Sequence, residues 1–184
     1  MKIFVISDIH GSSFYLKKAL EAFEKERCDY ILILGDELYH GPRNPLPEEY
    51  DPKKVVELLN PLKNLIVAVR GNCDSEVDQM LLEYPIMGDY STILWEGKRI
   101  FSTHGHIYNK ENLPPISKGD ILIYGHTHIP LCEENEEGVY ILNPGSISLP
   151  KGGYENSYGV FEDGKFLVKT LEGEIINSIQ IEKK

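Results

Sequence analysis

The sequence predicts an α/β fold in one domain, residues 1–184, with a largely parallel, helix-covered sheet packed against a second sheet. Three observations carry this. The first 70 residues alternate strand-length apolar runs with segments of helical periodicity. The second half is dominated by short strand-like runs separated by glycine turns. Acidic, amide and imidazole side chains recur just beyond the ends of the apolar runs.

The parallel sheet is argued from three continuous runs, Lys2–Ser7, Tyr30–Leu34 and Leu65–Arg70, rich in Ile, Val and Leu. Such runs suit strands buried on both faces. Between the first two, Ser12–Glu26 places Leu16, Ala19, Leu20 and Phe23 at i, i+3, i+4, i+7 spacing, with Ser12 or Ser13 able to cap the helix. Between the second and third, Pro52–Leu59 has Asp51 as N-cap and Pro52 at the first helical position. Strand, helix, strand, helix, strand reads as right-handed β-α-β crossovers.

The second sheet is expected from Thr92–Trp95 and Arg99–Thr103, joined by a turn at Glu96-Gly97-Lys98. Ile121–Tyr124, Val139–Leu142, Tyr158–Glu162, Lys165–Thr170 and Ile175–Ile181 follow, with turns at Asp163-Gly164 and Glu172-Gly173-Glu174. All of these strands are assigned to that sheet. The loop from Tyr39 to Tyr50 holds three prolines and is the largest excursion; long loops of this kind often serve a site.

Composition excludes several classes. Lysine and arginine number 19 against 29 acidic residues, a net charge of −10. That balance opposes an extended nucleic-acid surface, which needs clustered cations. It still allows a phosphate substrate, because bound metal ions reverse the local field. No apolar run reaches membrane-spanning length. The apolar start runs directly into Asp8 without a signal peptide's basic region or cleavage site. Cys28, Cys73 and Cys132 are odd in number and widely spaced, which implies neither a disulfide framework nor a thiolate zinc site. A cytoplasmic protein is expected.

Five apolar runs end in a potential metal ligand: Asp8 and His10, Asp36, Asn72, His104, and His126 with His128. In α/β sheets, side chains from several strands converge beyond the strands' carboxyl ends. A lone Asp or His there is ordinarily a turn former or a cap. Yet four of the six histidines fall at such ends, and independent caps have no reason to choose the same chemistry five times. Imidazole, carboxylate and one amide oxygen form a nitrogen and oxygen set suited to manganese, iron, cobalt, zinc or nickel rather than calcium. Seven ligands exceed one tetrahedral ion but suit two divalent ions sharing a carboxylate. Two ions roughly 3.5–4 Å apart acidify a bridging water and clamp phosphate oxygens in phosphoryl chemistry.

The blocks Asp8-Ile9-His10, Gly35-Asp36, Gly71-Asn72-Cys73-Asp74, His104-Gly105 and Gly125-His126-Thr127-His128 resemble, in order and spacing, those of the calcineurin-like metallophosphoesterase superfamily. His40-Gly41-Pro42-Arg43-Asn44, Val69 through Met80, and Asn143-Pro144-Gly145-Ser146 resemble more closely the small bacterial phosphodiesterases of the YfcE type. The resemblance implies a four-layer αββα sandwich of two mixed β-sheets flanked by helices. It assigns Asp8, His10, Asp36 and His128 to one ion and Asp36, Asn72, His104 and His126 to the other, with Asp36 bridging and holding the nucleophilic water. It implies manganese as the activating ion and a homo-oligomer as the assembly.

Many superfamily members carry a histidine where this chain has Cys73, as the YfcE-type subgroup does. A thiol is a weak donor, so another residue is expected to protonate the leaving group. His40 is the candidate donor, and Arg43, Asn72 and Cys73 the candidate substrate contacts, Arg43 through bidentate hydrogen bonds to phosphate. His106 is expected beside a ligand, Asp74 as an orienting or capping group, and the Asn143–Ser146 turn beside the pocket. The function expected is hydrolysis of small phosphodiesters. The alternatives are a phosphomonoesterase or nucleotide phosphatase, and a partner-binding scaffold such as the retromer subunit that resembles this group. A scaffold is free to lose ligands, and here all seven are kept.

Overall fold

The structure, a computed structural model, describes residues 1–182. The first half runs β1 (Ile3–Ile6), α1 (Ser13–Glu26), β2 (Tyr30–Ile33), α2 (Pro52–Leu59), β3 (Ile66–Ala68) and α3 (Glu76–Leu81). The second runs β4 (Tyr90–Trp95), β5 (Lys98–Thr103), β6 (Ile121–Ile123), β7 (Leu131–Glu134), β8 (Tyr140–Asn143), β9 (Ser157–Glu162), β10 (Lys165–Thr170) and β11 (Ile175–Gln180). Capping explains the helix starts. The Ser12 side chain accepts from Tyr15 N and the Asp51 side chain from Lys54 N, while α3 opens on a capping box between Ser75 and Asp78. Asp74 therefore does not cap α3.

Two mixed sheets result, one ordered β11-β10-β9-β1-β2-β3 and the other β4-β5-β6-β8-β7. The three strands of the first half are parallel, as expected. One expectation fails: β9, β10 and β11 belong to the first sheet, with β9 antiparallel to β1. Alternation along a strand fixes which faces are buried but not which edge it joins. Tyr158 and Val160 of β9 pack toward the helices while Phe161 packs between the sheets, as β1 does with Phe4 and Ile6 on one side and Ile3 and Val5 on the other.

The core has three layers. Phe4, Ile6, Leu16, Ala19, Phe23, Val55 and Leu59 fill the space between the first sheet and its helices. Val5, Leu32, Trp95, Ile123, Leu142 and Phe166 fill the space between the sheets. Phe101, Leu122, Tyr124 and Ile141 lie on the outer face of the second sheet, against Tyr108, Leu113 and Ile116. The fourth layer there is the irregular segment 105–119, which carries no helix. The β4–β5 turn is the pair Glu96-Gly97, both left-handed, and Lys98 already pairs with Trp95. Among the described residues no helix is long and apolar enough to cross a membrane.

Candidate metal centre

The expected ligands come together at the carboxyl ends of the parallel strands. Asp8 and His10 lie beyond β1, Asp36 beyond β2, Asn72 beyond β3, His104 beyond β5, and His126 and His128 beyond β6. Five of these seven take left-handed backbone angles: Asp8 (φ 56°), His10 (49°), Asp36 (57°), His126 (63°) and His128 (60°). Non-glycine residues rarely adopt that conformation, and surrounding structure must hold them in it. Backbone bonds do so: Asp8 N to Gly35 O (3.1 Å), His10 N to Asp36 O (2.9 Å) and Gly125 N to His104 O (2.8 Å).

The donor atoms form two adjoining groups. In one, His128 Nε2 is 3.2 Å from Asp8 Oδ1 and 3.3 Å from His10 Nε2, which is 3.8 Å from Asp36 Oδ2. In the other, His104 Nε2 lies 3.0 Å from Asn72 Oδ1, 3.1 Å from His126 Nδ1 and 3.4 Å from Asp36 Oδ2. Asp36 faces both.

Carbonyl groups fix the rings. Nδ1 of His10, His104 and His128 donates to Tyr39 O (2.8 Å), Leu34 O (2.6 Å) and Leu149 O (2.5 Å) respectively, leaving each Nε2 lone pair turned inward. Such outer partners orient metal-binding imidazoles. The carboxylates are held likewise. Asp8 Oδ2 accepts from Ser7 Oγ (2.6 Å) and His126 N (3.0 Å), and Asp36 Oδ1 accepts from Cys73 N (2.8 Å). Asp74 ties the neighbouring loops together, accepting from Asp36 N (2.9 Å), Gly71 N (2.7 Å) and Glu37 N (2.8 Å). Ser146 and Ser148 both donate to Asp8 O. The Asn143 turn supports backbone, not a ligand ring: its amide donates to Gly125 O and Thr127 Oγ1.

This donor set fits divalent cations. Asp8 Oδ1 is buried yet makes no hydrogen bond, which is costly unless a cation occupies its front. Burial opposes ionisation of Asp8, but His128, His104 and His10 hold its pKa below the ordinary range. Burial likewise opposes charge on His104, and Asp36 and Asp8 overcome it, pushing its pKa up to about 9. The carboxylates thus impose a field that demands positive charge. Asp8, His10 and His128 form one candidate metal-binding triplet, and Asp8, Asp36 and His104 another.

The centre opens into a cavity of about 360 Å³, whose walls include Asn72, Cys73 and the Gly41–Asn44 stretch of the long loop. Arg43 is thus brought to the cavity wall. Cys73 is half-buried, and burial together with Asp36 pushes its thiol up to about 12, so it stays neutral. His40 departs from expectation. Its ring packs against Tyr39 (4.8 Å between centroids) and Tyr50 (5.2 Å) and is not among the cavity walls. His106 does lie beside a ligand, its ring 5.4 Å from that of His104. Lys151, which sequence reasoning missed, also lines the cavity. The only available signal was a cation before Gly152-Gly153, soon after the Asn143–Ser146 turn.

Fold and centre together define a metal-dependent phosphoesterase, and the chain belongs to the calcineurin-like phosphoesterase superfamily, whose domain profile matches residues 1–164. Divalent ions accordingly belong in this site. The chain is 48% identical over 176 residues to the phosphodiesterase YfcE of Escherichia coli K12, spanning 96% of this chain and 95% of that one. A solved structure of the E. coli phosphoesterase YfcE superposes with a TM-score of 0.96, covering 99% of this chain and all (100%) of that one. The phosphodiesterase MJ0936 of Methanocaldococcus jannaschii is 29% identical over 153 residues, 79% of this chain and 83% of its own. Wild-type Vps29 of Entamoeba histolytica complexed with zinc gives a TM-score of 0.62 at 20% identity, covering 99% of this chain and 100% of that one, and shows a shared fold alone.

Proposed function

We propose that this protein hydrolyses small phosphodiesters at a dinuclear centre, with manganese as the activating ion. The observation that carries the reading is the position of Asp36, whose carboxylate adjoins both donor groups. Asp8, His10, Asp36 and His128 would hold one ion, and Asp36, Asn72, His104 and His126 the other. When bound, two such ions acidify a water and neutralise charge building on the phosphoryl oxygens. The phosphodiesterase named above, 48% identical, supports the choice of diesters.

The chain's own residues supply orientation. Arg43 presents a planar pair of donors to the phosphate from the long loop. The Asn72 amide and the Cys73 thiol face the same cavity, where Asn72 Nδ2 approaches Cys73 Sγ at 3.3 Å. The thiol is a weak acid, and the His40 ring packs against Tyr39 and Tyr50 rather than on the cavity wall. Diesters whose leaving group departs readily without a proton, such as aryl esters, are therefore the best substrates.

Chelation of metal, followed by hydrolysis of bis-p-nitrophenyl phosphate with and without Mn²⁺, tests this. Activity should return with Mn²⁺ and be absent in Asp36→Asn. A folded protein that stays silent with every transition ion would overturn the reading in favour of a partner-binding scaffold.

A further inference from the structure

We propose that Lys151 is a specificity-determining residue that binds a second anionic group of the substrate, so that the preferred diesters carry a carboxylate or further phosphate beyond the scissile one. The inference rests on the phosphodiesterase reading for the identity of the scissile group.

Lys151 reaches the cavity from a different segment than Arg43, and its backbone is clasped to a ligand residue. Lys151 N donates to His128 O (3.1 Å), while His128 Nδ1 donates to Leu149 O two residues earlier. Tyr154 N closes the following turn on Lys151 O (3.3 Å), through Gly152 (φ 68°) and Gly153 (φ 79°). The Cα of Lys151 is thereby tied to the candidate metal centre while the residue as a whole is exposed.

Charge makes the position informative. In a chain of net charge −10, Lys2, Lys17, Lys18, Lys54, Lys63 and Lys169 all form ion pairs with glutamates. Among the described residues Lys151 and Arg43 form none, and although six further lysines and Arg27 are also without an ion pair, Lys151 and Arg43 are the lysine and arginine that line this cavity. The metal ligands and Arg43 already address a scissile diester, which carries one negative charge. A compact ammonium on a flexible stem at the mouth suits an anion further along the substrate. That group gains a charge-assisted hydrogen bond in a site otherwise open to solvent.

The Mn²⁺-loaded protein is assayed on butyl p-nitrophenyl phosphate and 3-carboxypropyl p-nitrophenyl phosphate, which share a leaving group and differ in one charge. The carboxylate ester should be favoured about tenfold in kcat/KM, the size of one charge-assisted contact near a surface. Lys151→Met should collapse the ratio toward one, and Lys151→Arg should keep it. Calorimetric binding of 3-phosphonopropionate against propylphosphonate gives a readout independent of turnover, with the same dependence on Lys151. If both esters are hydrolysed equally and both phosphonates bind alike, the subsite is overturned and the phosphodiesterase reading stands. If neither ester is hydrolysed while 3-phosphonopropionate still binds better through Lys151, that reading falls and the subsite survives.

Discussion

The two oxygens of Asp8 divide their work, and Asp74 shows how the chain secures the same division at Asp36. In Asp8, Oδ2 is tied to Ser7 and His126 so that Oδ1 is left open toward the centre. At Asp36, Cys73 N holds one side-chain oxygen while Asp74 holds the backbone. Asp74→Asn places an amide where three N–H groups seek acceptors. It should weaken Mn²⁺ affinity by about 10–100-fold, the usual cost of losing an outer partner, as read by calorimetric titration. At this scale the expected ligands were legible because each follows an apolar run. The aim of the His40 ring was not, since Tyr39 and Tyr50 set it and spacing from Asp36 carries no direction. Lys151 was hidden for a related reason: its tie to His128 crosses more than twenty positions of sequence.

Between elements, the ends of β2 and β3 meet without room for a side chain. A Cβ on Gly71 would lie 2.1 Å from Asp36 Oδ1 and 2.3 Å from Asp36 N, and one on Gly35 2.4 Å from Gly71 N. Gly71→Ala must therefore move the loop that carries Asp36. Overpacking of this kind costs about 1–3 kcal/mol. Urea denaturation should show that loss, with a parallel fall in Mn²⁺ affinity; an unshifted midpoint would mean the loop gives way freely. The helices and most strands were readable from caps and periodicity. The strand β7 was not, because Leu131-Cys132-Glu133-Glu134 is a half-polar edge that lacks both a continuous apolar run and a clean alternation. Its existence depends on pairing with β8.

At the scale of the whole molecule, one carboxylate joins the helical layer to the first sheet. Glu26, at the end of α1, meets Lys169 of β10 (2.7 Å), Lys2 beside β1 (2.8 Å) and Tyr158 of β9 (3.0 Å). Burial works to raise its pKa, and these three partners overcome it, leaving the group at about 2 against an ordinary value of 4.5. A carboxylate depressed in this way contributes stability that is complete above its unfolded pKa. That contribution is lost as pH falls from about 4.5 toward 2. The gap in denaturation midpoint between the wild type and Glu26→Gln should therefore hold steady above pH 5 and close within that window. A gap that persists at pH 2 would assign the effect to packing. Assigning β9, β10 and β11 to the second sheet was an architectural error. It arose because local patterning describes buried faces, whereas membership is decided by long-range pairing with β1.

That pairing also orders events during synthesis. Ile3, Phe4 and Val5 find one neighbour at residues 30–32 and the other only at residues 159–161. A nascent chain that has already emitted every candidate ligand through His128 still shows one bare edge of β1, the strand that leads into Asp8. The candidate metal-binding loops are thus made before the sheet beneath them is closed. The last sixth of the polypeptide therefore acts as a latch, so that ribosome-bound chains halted before β9 should be open to protease along β1 and hold manganese poorly.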